Sequence, residues 1–444
     1  MRSLVLALSI FVVFAGLARA QEAGPAPGDQ DARFAEQEER LRRLEEELEA
    51  IKRERAEERE AARAREAAPP PASVAPVSTL GPAAIVTLKA GDGFTVTAAD
   101  DSASIKLRGR IQLRYSHTDQ EGREASDGFQ VRRLRLRLSG HLLTRDLTWD
   151  VQLAFSNLDT ERDLRLMLRD ASVNWKIHRD LEVRVGQMKV PFDRQRVTSS
   201  GKQQLVDRST VVGELNLDRD VGVQAHSTDL LGLGGLIRYN VGVFGGDGRN
   251  RLATAPGLLV VGRLELLPLG KFEAYEEADH DQHESPKLAI GAAAAYNSNT
   301  DRSRSTFEDP FPNDRRVDYR HAEVDITFRW KGLSLSAEVL RRDPTKKRLV
   351  LPGGTPAIVL THKTWGWFFQ AGYLLTKHVE VVGRVGEIRP ISVSAVAHQY
   401  EAGGGLNVYL LRHELKVQAD FFHLWDVHPS DSTDEARLQL QLAF

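Results

Sequence analysis

The chain has 444 residues with 35 glycines, no cysteine, 41% hydrophobic residues and a formal net charge of −2 at pH 7. Without cysteine there can be no disulfide, no thiolate metal site and no lipid anchor on a cysteine. Beyond the first residues no apolar run approaches the roughly 20 residues of a spanning helix, so insertion into a membrane would have to be by strands.

In chain order, Met1-Arg2 is a short positive start, Leu4 to Leu17 an apolar run and Ala18-Arg19-Ala20 a small-x-small cleavage site. Residues 1–20 therefore read as a signal peptide, with an exported mature chain starting at Gln21. The segment 21–66 contains, over 31–66, a stretch dense in Glu, Arg and Ala, with Phe34, Leu41, Leu44, Leu48 and Ile51 at heptad a and d positions. That pattern predicts a short coiled coil, with a solvated single helix as the alternative. Residues 67–93, with Pro69-Pro70-Pro71, Pro76 and Pro82, read as a Pro/Ala-rich linker.

From residue 94 to 444 the chain is a series of hairpins. Dyad alternation and turn residues predict strands near 104–116, 129–140, 147–155, 169–177, 181–186, 220–227, 234–244, 258–267, 287–296, 320–330, 333–341, 364–375, 378–388, 398–410, 413–426 and 435–444. An even number of such strands is the pattern of an all-β, 16-stranded antiparallel transmembrane β-barrel. Short turns such as His178-Arg179-Asp180, Lys331-Gly332, Thr376-Lys377 and Leu411-Arg412 alternate with long loops at 117–128, 187–219, 297–319 and 342–363. In an outer membrane this puts the N-terminal coiled coil in the periplasm and the long loops outside. The acidic stretch 268–286 breaks the alternation, being long at a short-turn position. Trp149, Trp175, Trp330, Trp365, Trp367 and Trp425 lie near strand ends, where interfacial girdles form.

The last strand alternates strictly, with Leu438, Leu440, Leu442 and Phe444 on one face and Arg437, Gln439 and Gln441 on the other. Phe444, a terminal aromatic on an alternating strand, is a candidate signal for the outer-membrane assembly machinery. The first hairpin is the most chemically specific segment. Its first strand puts Lys106, Arg108, Arg110 and Arg114 on one face, and its second puts Arg133, Arg135 and Arg137 opposite Leu134, Leu136 and Leu138. Pairing across the 117–128 loop would bring Arg110 beside Arg135 and Arg108 beside Arg137, a two-column ladder with about 6.6 Å per two-residue step. Like charges placed opposite one another are unfavourable. Their concentration on one face predicts a lumen that handles anions, because guanidinium stays charged and offers a planar fork to oxyanions. Wall hydration is the plainer alternative. Glu323, Asp325, Glu338, Glu401 and Asp420 also fall on inward faces, which predicts an acidic far wall, a transverse field and moderate selectivity.

Gly109 to Tyr115, Phe129 to Gly140, Val185 to Phe192, Asp218 to Val223, Tyr239 to Phe244, Glu401 to Asn407 and the C-terminal strand resemble, in order and spacing, the phosphate-selective porin O/P family of bacterial outer membranes. The resemblance implies a homotrimer of 16-stranded barrels in outer-membrane lipid, each with its own channel for small inorganic anions such as phosphate. It also implies an inward-folded third external loop. Here that loop is 187–219, whose constriction candidates are Lys189, Arg194, Arg196, Lys202 and Arg208. The chain is thus expected to be a diffusion porin and not an enzyme, with no cofactor, no metal and no nucleic-acid partner. The alternative is a structural barrel tethering the outer membrane to the cell wall through its coiled coil. Asp279-His280-Asp281-Gln282-His283-Glu284 could ligate a divalent metal, but an acidic solvated turn explains it equally well. Gly232-Leu233-Gly234-Gly235 reads as a turn.

Overall fold

The computed structural model describes residues 84–89, 91–159, 167–251, 256–312, 315–345, 363–391, 396–427 and 432–444, together with Arg42. The chain divides into two units, Met1–Leu80 and Gly81–Phe444. The expected signal peptide, coiled coil and most of the linker lie outside the described residues.

The second unit is one antiparallel sheet closed on itself. A short hairpin, β1 (Ile85–Lys89) and β2 (Gly93–Thr97), precedes the barrel. The first half of the barrel is β3 (Ser104–Gln120), β4 (Ser126–Leu142), β5 (Thr144–Ala154), β6 (Leu168–His178), β7 (Leu181–Lys189), β8 (Arg219–Ser227), β9 (Ile237–Phe244) and β10 (Leu259–Leu266). The second half is β11 (Lys287–Thr300), β12 (Val317–Trp330), β13 (Leu333–Pro344), β14 (Thr364–Leu374), β15 (Val379–Pro390), β16 (Gln399–Leu411), β17 (Leu415–Asp426) and β18 (Ser432–Ala443). Each barrel strand pairs with the next in sequence, and β18 returns to β3, from Thr433 opposite Gln120 to Ala443 opposite Arg110. All 16 expected strands are present. The hairpin β1–β2 is additional: β1 falls within the stretch read as linker, and β2 pairs with the start of β3 through Phe94 opposite Leu107 and Thr97 opposite Ser104.

Closure leaves no unpaired edge in the barrel wall, the condition for strands to cross a bilayer. Burial is inverted relative to a soluble protein. Leu438, Leu440 and Leu442 are 50%, 41% and 43% exposed, whereas Gln439 and Gln441 between them are each 1% exposed. On β12, His321, Glu323, Asp325, Thr327 and Arg329 are buried while Val324, Ile326 and Trp330 face outward. Only lipid makes that arrangement favourable, since the outer band would otherwise leave a large apolar area in water.

Tight turns follow local chemistry. Lys331 and Gly332, between β12 and β13, both have positive φ (50° and 83°), as a two-residue hairpin turn matched to the strand twist requires. At the closing seam, Phe444 N–H donates to Gly109 O (3.0 Å) and Gly109 N–H to Phe444 O (2.7 Å). A Cβ on Gly109 would lie 2.3 Å from Cζ of Phe444, so the terminal ring covers this glycine across the strand pair. Phe444→Ala removes that cover, and a cross-strand contact of this kind contributes up to about 1 kcal/mol. The variant should therefore lose its heat-resistant electrophoretic form at a lower temperature than the parent; an unchanged transition would show that the ring carries no closure energy.

Candidate functional site

The third external loop, 190–218, turns into the barrel and divides its interior. Two short helices shape it. In α1 (Arg194–Val197) the N-cap carboxylate of Asp193 accepts from Arg196 N–H at 2.7 Å. In α2 (Thr210–Leu215) the Ser209 hydroxyl accepts from Val212 N–H at 3.1 Å. Such caps satisfy donors that a short helix leaves free. Val190, Phe192, Val211, Val212, Leu215 and Leu217 then pack on an apolar patch inside the wall made by Phe244, Leu259, Val261, Leu340, Phe368 and Ile388. Each such side chain contributes about 1.5–3 kcal/mol on burial, so the loop is glued to one side of the lumen.

Around that patch the wall acids are consumed by the loop. Arg194 Nε donates to Asp325 at 2.5 Å, Gln195 N–H to Glu338 at 2.6 Å, Val206 N–H to Asp420 at 3.0 Å and Thr210 N–H to Glu401 at 3.1 Å. Wall arginines add further pairs: Arg263 with Glu323 (2.8 Å) and Asp325 (2.5 Å), Arg384 with Glu401 (3.1 Å) and Arg437 with Asp420 (2.7 Å). The expected acidic far wall is therefore corrected. These acids are buried beneath the loop they anchor, and the transverse field expected from them is neutralised at short range.

The long turn 267–286 also folds inward. Glu277 N–H donates to Lys202 O at 3.1 Å, and the Glu277 carboxylate accepts from Gln204 N–H (2.8 Å), Gln195 Nε2 (3.2 Å) and Gln370 Nε2 (3.0 Å). Its length, unexplained by the alternation of short turns and long loops, has a physical reason: it reaches the third loop from the periplasmic end and satisfies its backbone.

Among the described residues, two cavities lie largely against β3–β9. A cavity of 1190 Å³ is bordered by Lys106, Arg137, Arg184, Arg238 and Lys271, with Asp150, Asp170 and Glu273 among them. A smaller one of 190 Å³ is bordered by Arg132, Arg133, Arg169, Arg196, Arg208 and Arg249, with Asp159 and Asp218. Arg135, Lys189 and Arg219 line both cavities. They mark the waist between the two.

The first hairpin pairs in the expected register, Arg108 opposite Arg137 and Arg110 opposite Arg135. A bulge after Gln112 turns Arg132 out of the ladder. The two columns then part in role. Arg135 forms a fork on Asp159 (2.5 and 2.6 Å), which also accepts from Arg169 (3.1 Å). Arg133 donates to Gln112 Oε1 at 2.9 Å, and Arg137 pairs with Asp150. Lys106 is held by Asp92 at 2.5 Å, and Arg108 donates to Gly91 O at 3.2 Å, both at the turn of the β1–β2 hairpin. Arg110 donates to the Ser199 and Ser200 hydroxyls (3.2 and 2.9 Å), and Arg114 forks onto Asp207 (2.6 and 3.1 Å). Arg108, Arg110 and Arg114 thus line neither of these two cavities; one meets the N-terminal hairpin and the other two hold the third loop.

Of the constriction candidates, Lys189, Arg196 and Arg208 border the small cavity. Arg194 is sequestered in the acid network, and Lys202 pairs with Glu276 at 3.2 Å on the side of the long turn. Lys189 Nζ donates to Val197 O (2.7 Å) and Thr198 O (3.2 Å), Arg208 to Gln195 O (2.9 Å) and Thr198 O (2.7 Å), and Arg132 to Leu158 O (2.5 Å). Burial, followed by repulsion from Arg196 and Arg135, pushes the Arg208 guanidinium down to about 9, so it is still charged at neutral pH. Arg132, Arg169, Arg249 and Asp159 were not singled out from the sequence. Only the inward-face position of Arg169 on its strand hinted at such a role.

A closed strand barrel, apolar outside and polar within and narrowed by an inward loop, defines an outer-membrane channel. The chain belongs to the phosphate-selective porin O and P family, which matches residues 105–444. No curated protein matches it. Among solved structures, the fold is similar to the outer membrane channel DcaP of Acinetobacter baumannii, with TM-score 0.51 and 9% identity over 78% of this chain and 99% of that one. It is also similar to OmpF of Salmonella typhi, solved with daunomycin, with TM-score 0.50 and 14% identity over 78% of this chain and 99% of that one.

The anchoring network makes a direct prediction. Asp325→Ala leaves Arg194 and Arg263 buried with one carboxylate fewer, and breaking a buried pair on one side costs about 3–5 kcal/mol. The variant should show lower thermal stability and larger open-channel current fluctuations in planar bilayers. A quiet channel of parental stability would mean that the apolar patch alone holds the loop.

Proposed function

We propose that this porin is a diffusion channel preferring small oxyanions of the phosphate type, with selectivity set at the waist. One observation carries the reading: the small cavity is bordered by eight arginines and one lysine against two aspartates. In a narrow, partly desolvated passage such an excess attracts anions far more strongly than the same charges on an external loop, which are screened beyond about 8 Å at physiological salt. Arg208 matters most, because its hydrogen bonds go to carbonyls and leave its guanidinium without a directly bonded carboxylate. Arg135 adds a planar fork at the junction, suited to a bidentate oxyanion. The acids buried beneath the third loop lie away from this route and do not weaken it.

The same reading places the barrel in outer-membrane lipid as a homotrimer, inserted by the outer-membrane assembly machinery through the C-terminal strand ending at Phe444. The heptads of 31–66 would add a periplasmic association device. In native mass measurements the full-length protein should appear as a trimer that survives deletion of 31–66 with lower heat resistance; a monomeric mass counts against this assembly.

Selectivity is tested by reversal potentials in a salt gradient. Arg135→Ala with Arg208→Ala should shift the potential toward cation permeation. Arg135→Lys with Arg208→Lys should keep the anion preference but weaken phosphate block of the chloride current, since charge is kept and the fork is lost. If both double variants match the parent in both readouts, these arginines only hydrate the wall.

A further inference from the structure

We propose that Glu276, His280 and His413 form a binding site for a borderline divalent cation of the zinc class, clasping the long inward turn to the barrel rim. The three side chains come from segments remote in sequence. Glu276 and His280 lie on the 267–286 turn, and His413 lies between β16 and β17 at the same end of the barrel. One ligand atom from each lies within 4.8 Å of the others. Glu276 Oε1 is 3.7 Å from His413 Nε2, and the two imidazole rings stand edge to face with centroids 4.7 Å apart. Zinc bonds of about 2.0–2.2 Å in a tetrahedron put ligands roughly 3.3–3.5 Å apart, so a small rotation of side chains on an irregular turn closes the set. Of the acidic run 279–284 considered from sequence the site takes only His280, and His283 of that run is engaged by Asp279 at 2.5 Å.

Unmet hydrogen-bonding capacity points to a ligand here. His413 is 4% exposed, and its Nε2 has no hydrogen-bond partner. The Nε2 of His280 is likewise buried and unpartnered. Two orphaned imidazole nitrogens facing a carboxylate, where a buried polar atom normally finds a partner, are the donor set of a His₂Glu centre, which leaves one position for water. Burial, with repulsion from Arg412 and Lys416, pushes the His280 imidazole down to about 4. His413 is pushed below its ordinary value by burial and by Lys416, His280, Lys202 and Arg329. Both rings are therefore neutral at physiological pH, the form that binds metal.

Charged groups face the cluster from every element packed against it. Arg412 is neutralised by Asp281 at 3.0 Å, and Asp279 stands beside His283. Lys202 holds the other oxygen of Glu276 at 3.2 Å. Lys416 Nζ donates to Gln203 O at 2.6 Å and stands 3.2 Å from His413 Nδ1. Because Glu276 and Glu277 both touch the third loop, the cation would pin the turn that supports the constriction.

Chelator-treated full-length protein in detergent should bind one equivalent of Zn²⁺ per chain by calorimetry. Co²⁺ should give the visible bands of four-coordinate geometry. His280→Ala and Glu276→Gln, both on the turn and outside the strands, should each weaken binding at least tenfold while keeping heat-resistant migration; His283→Ala should bind as the parent does. Binding below one equivalent, or retained in the His280→Ala and Glu276→Gln proteins, overturns the site. Reversal potentials do not enter this test, so it stands apart from the anion reading.

Discussion

Polar groups that the barrel turns inward must find their partners on that side, because lipid on the other face offers none. This constraint organises the interior more than apolar packing does. Strands that would leave the wall acids facing one another instead present Asp325, Glu338, Glu401 and Asp420 to a loop supplying Arg194 and the backbone donors of 195, 206 and 210, while Arg263 of the wall holds Glu323. Buried acids and a folded-in loop are therefore mutually required, and removing either partner leaves charge stranded in a region of low dielectric. The apolar patch under α1 and α2 supplies area, while the ionic frame supplies position.

Electrostatic asymmetry follows from the same constraint. The third loop spends its donors on β10–β18, so the wall of β3–β9 keeps its arginines beside open space. Asp150, Asp159, Asp170 and Asp218 neutralise part of that wall, which keeps so many guanidiniums within one fold at tolerable cost. Arg132 and Arg208 hydrogen bond to carbonyls instead, so part of the surplus charge lies at the small cavity.

Strand identity was legible in the sequence because it is a local property: a two-residue period, turn residues and a terminal aromatic place all 16 strands. The Arg108–Arg137 and Arg110–Arg135 register was legible for the same reason, since one hairpin loop determines it. Side-chain roles were not. Arg110 and Arg135 share a face, sit opposite each other and both reach Ser200, yet only Arg135 also forks onto Asp159 and borders both cavities. These partners lie 24 to 90 residues away in sequence, at separations that no periodicity encodes. The turn 267–286 looked anomalous because its purpose lies in residues such as Gln195, Gln204 and Gln370. His413 gave no local sign of a relation to His280. The strand β1 was hidden inside a stretch whose prolines dominate its composition.

The small hairpin ahead of the barrel has a mechanical consequence. Ile85 pairs with Thr97 at the open end of the hairpin, and Lys89 with Gly93 at its turn, so a pull applied at Ile85 loads the ladder one rung at a time. Hydrogen bonds opened in sequence resist far less force than a set sheared together. The hairpin therefore yields first and pays out extended chain, while β3, locked between β4 and β18 along most of its length, bears its load in shear. Tension arriving from the N-terminal side is absorbed by a sacrificial zipper before it reaches the seam on which closure of the barrel depends.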